Sequence, residues 1–242
     1  MAMSIYKINY QAKLELHRKI RFTIFFILGI LILCSLFNSY ICFGCRIANS
    51  SMEPTLQDGN LAFVSSFAVP NNKLYFHKNP IKRGDVVCVK PIRDKNLNIF
   101  FRAVDKFVAF FTFQQIAPIA DSKNMSESKL IRRVIALPGD TVYVKDYVAY
   151  VKTPDSDYFL TEFELSKDEY DISVDKDIVD ANPKINFFKD CKEIKLDENE
   201  YFVLSDNRKS SIDSKLFGPI KANQIRGKVL LKYFPLTQMK IL

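Results

Sequence analysis

The chain has 242 residues, 48% of them hydrophobic and 26% charged, with a net charge of +8. That balance excludes a disordered or collagen-like polymer. Five cysteines and two histidines in no ligand-like spacing exclude a zinc or iron–sulfur module, and no cofactor is expected. The positive charge comes with no nucleic-acid-binding motif, so nucleic acid is not an expected partner, whereas anionic lipid headgroups suit it.

Residues 1–21 carry Lys7, Lys13, Arg18, Lys19 and Arg21 against the single acid Glu15. An uncharged apolar run then extends from Phe22 to Cys45. As a helix it would be roughly 36 Å long, enough to cross a hydrocarbon core of about 30 Å with some tilt. The basic flank assigns 1–21 to the cytoplasm, 22–45 to a transmembrane anchor and 46–242 to the far side. A cleaved leader also starts basic and turns apolar. This run is long for one, and "SYICFGCRIANS" is a poor small-x-small cleavage site, so a retained single-pass anchor is expected. Cys34, Cys42 and Cys45 read as small apolar residues within or beside it.

Next comes "SSMEPTLQDGN" (50–60). Fully extended, the stretch from Cys45 to Ser51 reaches only about 20 Å, so Ser51 is expected close to the bilayer surface. Pro54 fixes its own φ and restricts Glu53. Taken alone, a serine in a proline-containing turn is an ordinary turn residue.

The outer segment reads as short strands rich in Val, Ile, Tyr and Phe: 61–66, 84–90, 131–137, 141–145, 147–152, 201–205 and 227–234. "RGD", "PGD" and "SDNR" supply turns between them. The fold class expected is mainly β, a coiled antiparallel barrel or sandwich behind one N-terminal transmembrane helix. Two stretches break the rhythm and read as insertions: 91–129, with an aromatic-heavy run, and the acidic 153–197. The phenylalanines of 107–113 suit buried packing or an apolar skirt on the bilayer. Cys88 and Cys191 both lie outside the membrane, and the sequence leaves their pairing open.

In chain order, "SSMEPTLQDGN", "KRGDVVCVK" (82–90), "IRRVIALPGDTVYV" (131–144) and "YFVLSDNRKSSIDSKLFGPI" (201–220) resemble the sequence boxes of bacterial type I signal peptidases, or leader peptidases. Four boxes in order are far more specific than any one of them. The resemblance implies a mainly β Ser–Lys endopeptidase, anchored in the cytoplasmic membrane. It would remove signal peptides from exported precursor proteins at the outer face, after small residues at −3 and −1, and act as a monomer.

By the same resemblance Ser51 is the nucleophile. The position of the general-base lysine is held by Arg132, followed by Arg133. A lysine can give up its proton in an apolar pocket, whereas an arginine stays protonated and cannot serve as that base. Asn49 stands where the family offers part of its oxyanion site, and its amide N–H is expected to donate there. Ser211 matches the serine that supports the base, Asp213 the acid that orders the site, and Asp206 with Arg133 a structural ion pair. Lys215 replaces an arginine.

Other bases are poorly placed. His17 falls in the cytoplasmic segment, His77 lies in no box, Lys129 would face away from position 132 on a strand, and Lys145 belongs to the next strand. An alternative therefore stands beside the peptidase: a catalytically impaired relative that binds signal peptides or partners. A soluble Ser–Lys autoprotease of the repressor type fits less well, because of the apolar run and the lack of a DNA-binding module.

Overall fold

A proline-free stretch of good helix formers makes α1 from Ala2 to Tyr40. In this computed structural model, which describes residues 2–40, 42–66, 81–90, 130–174, 190–208 and 212–242, Met1–Ser39 and Tyr40–Leu242 are separate compact units. Large apolar side chains of α1 stand bare, including Phe22 and Phe25 at 73% and 69% exposure. Among the described residues no helix is long and apolar enough to cross a membrane.

The expected span 22–45 also ends differently. Cys42–Arg46 leave the helix as strand β1, paired antiparallel with β2 (Leu61–Ser65) from Cys42↔Ser65 to Arg46↔Leu61. Phe43 and Cys45, two apart on β1 and so on one face, pack into one buried cluster with Ile47 just past the strand. That alternation is hidden in the sequence because it continues an apolar run.

The second unit is mainly antiparallel β. Its further strands are β3 (Val86–Val89), β4 (Leu130–Ala136), β5 (Thr141–Lys145), β6 (Val148–Lys152), β7 (Leu160–Thr161), β8 (Cys191–Lys195), β9 (Glu200–Leu204), β10 (Ile220–Lys221), β11 (Ile225–Phe234) and β12 (Lys240–Ile241). Among the described residues the one-turn helices α2 (Glu162–Leu165) and α3 (Ser214–Phe217) interrupt them. One sheet follows the order β1-β2-β11-β3-β4-β9-β10, with β12 on β11; the other is β7-β6-β5-β8. Register shifts in β11 and β4 supply the bulges that bend such a sheet.

Three apolar clusters fill the core. One joins Phe43, Met52, Leu56, Val64 and Ile131; a second centres on Val87, Val134 and Val203; a third ties Val142 and Val151 of the smaller sheet to Phe202 and Leu204. Every residue of β4 is buried, as expected for a strand flanked on both edges, by β3 and β9.

The stretch 153–197, read from the sequence as an insertion, contains β7, α2 and β8, and Ser173 bridges Asn207 in parallel. Cys88 and Cys191 lie in different sheets and are not joined by a disulfide. The insertion 91–129, with the 107–113 phenylalanines and Lys129, lies outside the described residues, as do His77 and Ser211.

Candidate active site

The Ser51 loop is held by burial and by the backbone of a distant segment. Met52 and Leu56 are fully buried in the first cluster, which contributes about 1.5–3 kcal/mol for each side chain. Leu56 N donates to Met52 O at 2.8 Å, closing a helical turn. Asn207 fastens the loop from outside: its N–H donates to Ser51 O at 3.0 Å and its Nδ2 to Ser50 O at 3.1 Å. Ser51 itself is 4% exposed.

Arg132 arrives from β4, where it sits opposite Val87 of β3. Its Nη1 donates to Ser51 Oγ at 2.8 Å and to Ile131 O at 2.5 Å. Its Nε and Nη2 both donate to Ile212 O, at 3.0 and 2.8 Å. Burial pushes its pKa below the ordinary arginine value, while Asp213 and Asp206 pull it back up. Arginine starts so high that the guanidinium remains a cation at neutral pH.

The Ser51 hydroxyl donates to Asn49 Oδ1 at 2.5 Å, and the Ser51 backbone N–H donates to the same oxygen at 3.2 Å. Asn49, expected to offer an amide N–H to the oxyanion site, meets Ser51 through the other end of its amide. With two donors facing it, the side chain presents its carbonyl end as an acceptor.

Arg133, next along β4, makes a bidentate pair with Asp206: Nε to Oδ1 at 2.8 Å and Nη2 to Oδ2 at 2.6 Å. The two side chains are 6% and 0% exposed. Thr55 Oγ1 also donates to Asp206 Oδ2 at 2.6 Å, so the pair grips the far end of the Ser51 loop. Arg133 Nη1 donates to Gly84 O at 2.6 Å. Gly84 has φ +88°, and a Cβ there would collide with Ser166 Oγ, which explains a glycine in "KRGD".

Asp213 caps α3: its Oδ1 accepts from Lys215 N at 3.0 Å, and its Oδ2 accepts from Ser205 N at 3.3 Å. Lys215 Nζ is buried 3.9 Å from Asp213 Oδ2 and has no hydrogen-bond partner among the described residues. Burial lowers its pKa, and Asp213 is the main opposing influence. Lys145, the other lysine weighed from the sequence, is exposed at the end of β5.

Sequence reasoning missed a second buried network. Arg208, with no exposed surface, donates through Nη2 to Glu162 Oε2 at 2.5 Å and through Nη1 to Tyr147 O at 3.0 Å. Tyr170 OH donates to the same Glu162 oxygen at 2.6 Å, and its ring lies 4.0 Å beneath the Arg133 guanidinium. Burial raises the Tyr170 pKa, and the Glu162 charge adds to the rise. The one sequence signal here is Thr161 with Glu164, a capping box that starts α2 beside Glu162.

Chemically, the site holds a serine oxygen between one cationic donor and one amide acceptor. It can polarise and bind a carbonyl, but neither neighbour of the hydroxyl is a base for neutral-pH chemistry. Fold and site together define a mainly β protein with a buried serine paired to a cation.

The family described as signal peptidase, peptidase S26, matches residues 19–234. The chain is 30% identical over 204 residues to signal peptidase I of Bacillus caldolyticus, covering 84% of this chain and 82% of that one. It is 28% identical over 198 residues to signal peptidase IB of Staphylococcus aureus (strain N315), covering 80% and 78%. A crystal structure of a signal peptidase I from Enterococcus faecalis V583 aligns over 61% of this chain and 94% of its own, at 19% identity and a TM-score of 0.31, too low to add to the assignment. The chain belongs to the signal peptidase family.

Proposed function

We propose that this protein acts on the signal peptides of exported precursor proteins as a serine endopeptidase of the signal peptidase I type, with Ser51 as nucleophile and Arg132 in place of the base. The observation that carries this reading is the 2.8 Å contact between Arg132 Nη1 and Ser51 Oγ. The residue that the motif resemblance puts at the position of the family's base reaches the residue it puts at the nucleophile. Ser211 and Asp213 are assigned as supports of position 132, and Arg133 with Asp206 as the clamp on the Ser51 loop.

The protein is anchored by α1, with residues 1–21 in the cytoplasm and the β unit at the outer face of the cytoplasmic membrane. The basic flank supports this orientation. The bare Phe22, Phe25 and Phe26 side chains of α1 suit lipid better than water. Membrane fractions washed at alkaline pH should retain the protein, and release by the wash would contradict the anchor.

The guanidinium favours a second reading of the same site. Since Arg132 donates to the hydroxyl and cannot accept its proton, the chain binds signal peptides and turns them over slowly or not at all. Purified full-length protein in detergent, given an exported precursor, tests the first reading. Slow cleavage abolished by Ser51→Ala is expected. Cleavage unchanged in Ser51→Ala would remove Ser51 from the mechanism.

A further inference from the structure

We propose that Asn49 is a latch on Ser51, released when a peptide carbonyl takes its place. This rests on the signal-peptide reading above and adds a regulatory step at the same site. One atom, Asn49 Oδ1, accepts from the Ser51 hydroxyl at 2.5 Å and from the Ser51 backbone N–H at 3.2 Å.

These are the two donors an acyl-transfer serine must have free. The hydroxyl proton must go to a base, and an amide oxygen is too weak a base to accept it. The nucleophile's own N–H is a natural oxyanion donor, as in serine proteases generally. A substrate carbonyl aimed at that N–H needs the position now filled by the Asn49 carbonyl.

The latch is able to open. Asn49 and Ser50 are exposed, whereas Ser51 and Met52 are buried. The arm can swing into water while its target stays fixed. Ser51 is held independently of Asn49, through Asn207 N to Ser51 O at 3.0 Å and through the buried Met52. On the other side, Arg132 Nη1 donates to Oγ at 2.8 Å and so leaves the hydroxyl proton pointing to Asn49. The resting site thus mimics its own occupied state: a carbonyl oxygen already rests on the serine.

The test compares two non-cleavable signal-peptide analogues on the full-length protein in detergent micelles. One carries a ketomethylene at the scissile position and keeps the carbonyl; the other carries a reduced methylene and lacks it. Removing the latch with Asn49→Ala should tighten the ketone analogue about tenfold, since two hydrogen bonds no longer compete. It should leave the reduced analogue unchanged. Asn49→Asp retains an acceptor oxygen and should bind the ketone as the wild type does, which separates the latch from a general loss of loop structure.

Equal shifts for both analogues in Asn49→Ala, or no shift for either, would overturn the latch while leaving peptide binding intact. Failure of both analogues to bind wild type and variants alike would overturn the signal-peptide reading, and the latch with it.

Discussion

At the scale of single residues, the proposed chemistry turns on what surrounds Ser51, and stability on which buried charges are paired. Arg133 and Asp206 form a bidentate pair with almost no exposure. Removing one partner strands the other charge in the interior, so Asp206→Ala should cost about 3–5 kcal/mol of stability. The double variant Asp206→Ala/Arg133→Met should cost less than the sum of its singles. Chemical denaturation checks both, and additive losses would mean that the pair is not the source.

Lys215 makes a different prediction. Burial holds its pKa below the ordinary lysine value, despite Asp213. The folded state therefore binds fewer protons at this site than the unfolded chain, and unfolding takes up a proton. Stability should rise with pH from the folded pKa up to the unfolded value of about 10.4, and the destabilisation is full below that window. Replacing Lys215 with methionine should flatten this rise relative to wild type in urea midpoints measured across alkaline pH. An identical slope in the variant would rule out Lys215 as its origin.

At the scale of elements, the stretch 153–197 is the part least expected from sequence. Its acidic, irregular composition reads as an insertion, and within it Glu162 of α2 is buried between Arg208, Tyr170 and the backbone N–H of Ala149 in β6. The network ties the smaller sheet to the 206–208 segment that fastens Ser51. Tyr170→Phe deletes one hydrogen bond to a buried carboxylate and should cost about 1.5–3 kcal/mol. Glu162→Ala should cost more, since it removes the buried carboxylate that faces the Arg208 cation. If thermal melts show Glu162→Ala to be the milder change, the network does not carry the connection.

Much of the fold was legible, because strands such as β4 and β5 are dense in β-branched and aromatic residues between clear turns. β1 was not, since Phe43 and Cys45 continue the apolar run of α1. β8, "CKEIK", was missed because most of its residues face water. In the site, the meeting of Arg132 with Ser51 and of Arg133 with Asp206 follows what the resemblance to the signal peptidase boxes implied. The direction of the Asn49 amide could not, because an amide offers both a donor and an acceptor, and only the atoms facing it select one.

At the scale of the molecule, the proposed reading turns on one position. The relatives are signal peptidases across most of their length, and the sheets carry the serine loop against β4. The hydroxyl meets a guanidinium there, and a guanidinium does not take up a proton at neutral pH. If Ser51 is the nucleophile, the missing component is the base, and restoring it should restore turnover without rebuilding the scaffold. A positioned general base contributes about 10²–10⁴-fold in rate.

The most direct measurement is kcat for cleavage of an exported precursor by the full-length protein and by Arg132→Lys, side by side in the same detergent. Arg132→Lys should be faster by about 100-fold or more, with a rate that rises as pH deprotonates the new amine and disappears in Arg132→Lys/Ser51→Ala. Equal rates for wild type and Arg132→Lys would contradict the claim that position 132 lacks a base for Ser51.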